Sequence, residues 1–274
     1  MNRRGLGLLE VLIALTLTGW VAVLVGSILQ TASFRLRDRS ERIGMEHALR
    51  VAAVATRSAL EPLGRDSTAG PDLAAIAPDG FVARAVRGSG VLCAVAAAAL
   101  TVRGGAGWWS ALRAPVAGRD SVMVGSVVGP ARWVVTDLAA APSAGACPDG
   151  TEALVFPAAL SPAELAAIGI GSPLRVFEHM ELRAYTSGGA GWLGLRSVSS
   201  GGSIQPLAGP FTGAALELRF FSLGGSGASL PGAVASAEWR LRGITERAGG
   251  IGVVRMPRSQ SDSGVGSVLL RNAP

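Results

Sequence analysis

Hydrophobic positions are distributed unevenly along this chain. From Leu6 to Leu29 it reads LGLLEVLIALTLTGWVAVLVGSIL, 24 residues with one formal charge, at Glu10. At 1.5 Å per residue the run is long enough to cross a hydrocarbon layer of about 30 Å, and it predicts a membrane-spanning helix. Beyond Leu29 the text turns polar without a helix breaker. Arg35, Arg37, Asp38, Arg39, Glu41, Arg42 and Glu46 form a charged stretch of good helix formers, read as a solvated face. Met45, Ala48, Leu49, Ala52, Ala55, Ala59 and Leu60 recur at steps of three and four, the signature of a helix face that lies on a sheet. Pro62 and Gly64 stop the pattern, so one helix of about 55 residues, about 80 Å long, is expected.

The remainder is punctuated differently. Residues 64–80 read as a loop from their Gly, Pro, Asp and Ser content. Alternating or apolar runs then predict strands at Phe81–Val86, Ser121–Val127, Arg132–Thr136, Ala153–Phe156, Leu174–Tyr185, Leu193–Val198, Ala214–Phe221, Ala233–Leu241 and Ile251–Met256. Ala94–Leu100 fits strand and helix equally well. Ser161–Ile168 predicts a short helix with Ser161 as N-cap, Pro162 at N1 and Glu164 at N3. The fold class expected is α+β: a long N-terminal helix, half transmembrane and half amphipathic, packed on an antiparallel β-sheet. The expected divisions are a leader at 1–5, a transmembrane helix at 6–29, its amphipathic continuation at 30–63 and a β-rich globular domain at 64–274.

Composition sharpens this picture. Of 274 residues, 49% are hydrophobic and 16% charged, which excludes a disordered chain, and 38 glycines fit a domain of many turns. All 25 basic residues are arginine, so the sequence pI of 11.0 reflects the absence of lysine more than the formal charge of +6. A charge that modest, dispersed among acids, does not call for a nucleic-acid partner. Arg3 and Arg4 ahead of the apolar run favour a cytoplasmic N-terminus with the rest translocated. A cleaved secretory signal would have a shorter apolar core and a small-x-small site, which Gly26-Ser27 matches poorly. Glu10 inside the span is costly unless paired, and calls for a reason.

The string RRG-LGLLEVLIAL combines basic residues, Gly5, an apolar residue, and Glu10 five positions past the glycine, followed by an unbroken apolar helix. It resembles the class III leader of type IV pilins and type II secretion pseudopilins. That resemblance implies cleavage after Gly5 by a prepilin peptidase, methylation of the new amine on Leu6, and pairing of Glu10 with the amine of a neighbouring subunit. Leu6 replaces the usual Phe, and Ser27 stands where many major pilins carry a proline; both departures favour a pseudopilin over a major pilin. A second region, RVFEHMELRAYTSGGAGWLGLRSV through GPFTGAALELRFFSLGG and LPGAVASAEWRLRG to the closing VLLRN, is similar to the C-terminal half of J-type minor pseudopilins and W-type minor pilins. The two regions cover about half the chain.

The resemblance implies a pilin-like fold and a structural, non-enzymatic role in a type II secretion pseudopilus, or alternatively in priming a type IV pilus, with or without DNA uptake. It implies an inner-membrane anchor with a periplasmic domain, and as partners other pilins or pseudopilins, the prepilin peptidase and an inner-membrane assembly platform. The tip subunit of such filaments commonly lacks the Glu, so Glu10 leaves room for a subunit above this one.

Other chemistry is thinly represented. No P-loop, dinucleotide fingerprint, nucleophile elbow or Cys-x-x-Cys occurs, and no cofactor or metal is expected. Cys93 and Cys147 lie 54 positions apart in the translocated part, where a disulfide is permitted; two free thiols are the alternative. His179 reads as a surface strand histidine paired with a carboxylate, Glu181 sharing its face and Glu178 turned away. Trp108, Trp109 and Trp192 read as loop anchors over the core, or as a partner contact. Arg84 and Arg87, read as an outward loop, are the residues on which a DNA-binding alternative rests, and a membrane-anchored enzyme using His179 is the other alternative.

Overall fold

A computed structural model describes residues 7–66, 69–129, 132–211, 216–245 and 260–270. Helix α1 spans Leu8–Leu60, 53 residues without a break. Its first part carries no tertiary contact: Leu9, Leu12, Trp20, Leu24 and Leu29 are all exposed, and its mean hydropathy of 2.3 makes it long and apolar enough to cross a membrane. The hydroxyls in this part turn back on the helix. Thr18 donates to the Ala14 carbonyl at 2.7 Å, Ser27 to Leu24 at 2.8 Å and Thr31 to Ser27 at 2.8 Å, so these hydroxyls are satisfied without water.

The outer part of α1 is amphipathic as expected. Met45, Ala48, Leu49, Ala52 and Leu60 are buried, Ala55 and Ala59 half-buried, and Thr56 joins the buried row. The Glu61 N–H closes the last turn on the Arg57 carbonyl before Pro62.

The strands follow as β1 (Arg65–Asp66), β2 (Gly70–Pro71), β3 (Leu73–Ala77), β4 (Gly80–Ala96), β5 (Ala99–Arg103), β6 (Trp109–Ala111), β7 (Ser121–Gly125), β8 (Trp133–Asp137), β9 (Ser143–Ala146) and β10 (Glu152–Pro157). A one-turn helix α2 (Pro162–Leu165) intervenes. Then come β11 (Pro173–Ser187), β12 (Ala190–Ser197), β13 (Gln205–Phe211), β14 (Leu216–Phe221), β15 (Ser236–Thr245) and β16 (Gln260–Leu269). All described pairings are antiparallel, and the class is α+β.

The long strands β4 and β11 pair from Arg183↔Gly80 to Pro173↔Val91 and form a spine. At the helix end the spine is flanked by β3 on one side and by β12 and β13 on the other; at the far end it carries β5, β6, β7, β8, β10 and β9. A separate three-stranded sheet, β14-β15-β16, completes the helix end, and α1 lies across β13, β15 and β16. At Gly243 in β15 an added Cβ would stand 2.8 Å from Met45 Cγ, which shows how closely the helix approaches the sheet. Two cores result. One unites Met45, Leu49, Leu60, Phe81, Leu182, Phe211, Trp239 and Leu241; the other unites Leu92, Leu100, Val122, Val124, Phe156, Leu174 and Val176.

Several expectations need correction. The segment 64–80 is not a loop: β1, β2 and β3 lie within it, because its apolar Leu73 and Ile76 cover the first core. β4 runs ten residues beyond the expected end at Val86. Gly88 and Gly90, which read as turn residues, permit close packing instead: a Cβ on either would stand 2.9 Å from the Trp109 ring. Ala94–Leu100 is neither wholly strand nor helix but the hairpin between β4 and β5. β6, β9 and β13 are strands with no counterpart in the sequence reading, as is β16. The expected strand Ile251–Met256, the leader at 1–5 and the closing Arg271-Asn272 lie outside the described residues.

Candidate functional site

The residues singled out by sequence are not gathered in one place. Gly5 and Leu6 lie outside the described residues. Glu10 occupies the first turn of α1, exposed, where the orphan N–H groups favour a carboxylate. It is the one formal charge in an otherwise apolar and unpartnered helical surface that extends to Leu29. Cys93, at the far end of β4, and Cys147, after β9, are joined in a disulfide, both buried against Ala153. The bond lies at the end of the molecule away from the helix and ties the spine to the outermost strand pair, β9–β10.

His179 is half-buried in β11 and does not pair with Glu181. Glu181 is instead taken by Arg196 across the β11–β12 ladder and by Arg183 at 3.6 Å. The imidazole stands edge-on to Phe177 at 5.6 Å. Burial and then the Arg84 charge hold it below its ordinary 6.5, with Asp137 acting in the opposite sense.

The tryptophans separate into three roles. Trp109 is in β6 and packs on Phe156 at 5.4 Å, Trp192 is in β12, and Trp108 stands half-exposed over the Arg103 guanidinium at 5.3 Å. Arg84 and Arg87 are not in an outward loop. Both lie in β4 with side chains only 14% and 20% exposed, the first beside Asp72 and the second paired with Glu178. The DNA-binding alternative therefore loses the arginines on which it rests.

The most concentrated chemistry is one that the sequence did not reveal. Glu178 has a fully buried side chain at the junction of the two cores. Opposite the Val176–Phe177 step, β4 carries one extra residue, Arg87, and this bulge coincides with the charge cluster. Arg87 Nε donates to Glu178 Oε1, Arg119 Nε to Oε2 at 2.6 Å, and Ser197 Oγ to Oε2 at 2.8 Å; Arg113 stands 3.3 Å away. Arg113 also grips the buried Asp120 in a fork at 2.7 and 2.6 Å, and Asp120 accepts the Val116 N–H at 2.7 Å. Burial pushes the Glu178 carboxyl up, but the bonds from Arg119 and Ser197 and the charge of Arg87 prevail and hold it at about 2. The partners are 91, 59 and 19 positions from Glu178 in sequence, so no local pattern announces them. Their arrangement fastens the segment before β7 to the spine.

No family model, curated protein or solved structure matches the chain. Among the described residues, no group of three His, Cys, Asp or Glu side chains converges as a metal site would require. What stands out as functional surface is therefore the bare apolar helix with its lone Glu10, continuous with an outer half that carries a β-rich domain.

Proposed function

We propose that this protein is a structural minor subunit of the type IV filament family, a J-like minor pseudopilin of a type II secretion system. The observation that carries this reading is the conjunction of Arg3-Arg4-Gly5 and Glu10 with a helix unbroken from Leu8 to Leu60, bare in its apolar half and packed on antiparallel sheets in its outer half. This is a pilin-like plan, in which one element serves as membrane anchor, assembly surface and core of the outer domain. After cleavage at Gly5, the amine of Leu6 is positive, and a carboxylate four residues on pairs with such an amine on a neighbouring helix. In lipid the paired charges are tolerated and the lone carboxylate is not, so Glu10 favours assembly. The subunit is anchored in the inner membrane with its domain in the periplasm, where the Cys93–Cys147 bond is chemically permitted.

The test is co-expression of the full chain with a prepilin peptidase, followed by N-terminal sequencing of the membrane fraction. A chain beginning at N-methylated Leu6 is expected, and only chains retaining Met1–Gly5 would overturn the reading. Glu10→Ala is expected to insert normally and to reduce incorporation into filaments at least tenfold; equal incorporation removes the pairing argument.

A further inference from the structure

Between the end of the apolar run at Leu29 and the first buried residue of α1, Met45, the helix forms a neck, residues 30–44. It is about 22 Å long at 1.5 Å per residue. Every described side chain in it is exposed, so the outer domain does not cover it. Its charges are unevenly placed. Arg35, Arg37 and Arg39 are accompanied within residues 30–40 by one acid, Asp38, and none of the three has an ion pair or hydrogen bond among the described side chains. Farther out the arginines are engaged along the helix, Arg42 with Glu46 at 2.9 Å and Arg57 with Glu61 at 3.6 Å. At 3.6 residues per turn, Arg35 and Arg39 share one side of the helix and Arg37 takes the other. The three form a collar. Phe34 and Leu36, 48% and 68% exposed, alternate with them.

On the reading of α1 as a membrane span, we propose that this collar binds the headgroups of anionic phospholipids in the leaflet from which the helix emerges. Position is the first argument. Arg35, Arg37 and Arg39 follow Leu29 by about 9, 12 and 15 Å along the axis, and the headgroup layer extends about 5–8 Å outside the hydrocarbon. Helical side chains lean toward the helix N-terminus, which here is the membrane side. The long arginine stems therefore carry their guanidinium groups back toward that layer. Charge is the second argument. A guanidinium fork matches phosphate oxygens, and clustered basic residues beside a span favour lipids of net negative charge over zwitterionic ones. An acidic protein partner at this level would have to displace the headgroups. The neck must leave the headgroups when the subunit enters a filament, so the collar holds the unassembled subunit at a fixed depth until the pairing of Glu10 offsets the lost contacts.

The test places the full chain in lipid nanodiscs of equal parts phosphatidylglycerol and phosphatidylcholine and counts, by native mass spectrometry, the lipids retained on the released protein. Phosphatidylglycerol is expected to be retained about fivefold over phosphatidylcholine. Changing the collar together, Arg35→Gln, Arg37→Gln and Arg39→Gln, should lower that ratio about threefold. Gln and Arg have similar helix propensities, so the helix is kept. The same three positions changed to Lys should keep most of the preference, because the charge remains. Arg50→Gln is the distance control. Arg50 is also without an ion pair among the described side chains, but it lies about 31 Å beyond Leu29, and its loss should leave the ratio unchanged. Equal retention of the two lipids by the intact chain, or an equal fall in Arg50→Gln, would overturn the proposal. So would an undiminished preference in the Gln variant, which would assign it to Arg3 and Arg4 at the opposite face. A chain that does not enter the nanodisc would instead overturn the membrane-spanning reading, and the proposal with it.

Discussion

The two ends of the β4–β11 spine are stabilised by different means. The helix end relies on apolar packing: α1 contributes Met45, Leu49, Ala52 and Leu60, and strands of two sheets supply Phe81, Phe211, Trp239 and Leu241. Among the described residues, no long helix covers the far end. Its core is a smaller group around Phe156, Leu100 and Leu174, supplemented by a disulfide at one margin and the Glu178–arginine cluster at the other. A small core buries less surface per residue, and cross-links offset that deficit. The lesson is that the helix-free end is fastened by a disulfide and a fully buried carboxylate, whereas the ion pairs of the helix end, such as Glu181 with Arg196, are part-exposed and apolar packing is its main support.

Breaking the ionic fastening tests that contrast most severely. Glu178→Ala leaves Arg87, Arg113 and Arg119 partly buried with one shared partner gone, and is expected to cost about 3–5 kcal/mol in chemical denaturation. The loss should appear first as hydrogen exchange in β7 and β8, with β15 protected. The same group sets an acid limit. Its carboxyl lies at about 2, well below the ordinary 4.5, so its contribution is complete above about pH 4.5 and is lost as pH falls toward 2. Thermal stability of the wild-type chain should decline through that window, and Glu178→Gln should flatten the decline. A parallel decline in the variant would show that other carboxylates carry it.

Opening the covalent fastening comes next. Cys93 and Cys147 close a loop with a sequence separation of 54, for which chain entropy predicts about 4 kcal/mol at most and about 2–4 in practice. The double Cys→Ser variant should lose protection in β9 and β10 while α1 and β15 keep theirs. Equal loss at both ends would mean that the spine transmits all instability and that the two cores are one cooperative unit.

The helix end is probed by overpacking. Ala52 is fully buried where α1 meets the sheet, so Ala52→Leu should cost about 1–3 kcal/mol and loosen α1 against β15 without reaching the disulfide end. Greater protease sensitivity near Arg50 and Arg57, with the β9–β10 strands intact, is the expected readout.

The contrast also explains what was legible in the sequence. The helix and its buried row at Met45, Ala48, Leu49, Ala52 and Leu60 follow from a period, and a period is local. The strands Ser121–Gly125, Glu152–Pro157 and Leu216–Phe221 were readable for the same reason: each is short, apolar or alternating, and bounded by turn residues. Strands made of small residues were not: β9 is SAGA, and β4 passes through Gly88 and Gly90, whose role is set by Trp109 from another strand. The Glu178 cluster was hidden because an ion pair between residues 91 apart leaves no trace in either neighbourhood. His179 faces away from Glu178 as its strand position implied, but the carboxylate pairing expected for it is absent: Glu181 goes to Arg196, and the residue across the ladder is Arg84, which depends on register.

The smallest effect concerns the most local feature. Ser161 caps α2 as its position ahead of Pro162 predicted: Ser161 Oγ accepts the Glu164 N–H at 3.3 Å, and the Glu164 carboxylate accepts the Ser161 N–H at 2.7 Å. Those bonds hold the Glu164 carboxyl below its ordinary 4.5. The turn also receives Arg132 Nη2 on the Ala163 carbonyl at 2.8 Å and leads into Ile168, which is buried in the far core. If that core is as dependent on its fastenings as the contrast implies, a capping loss should be felt there in full. Ser161→Ala should therefore cost about 1 kcal/mol of global stability. A helix this short would otherwise fray locally at almost no global cost, since nothing in α2 itself is buried. A measured change near zero, with faster exchange confined to residues 162–168, would show that the far core tolerates the loss of its lesser supports and depends on the disulfide and Glu178 alone.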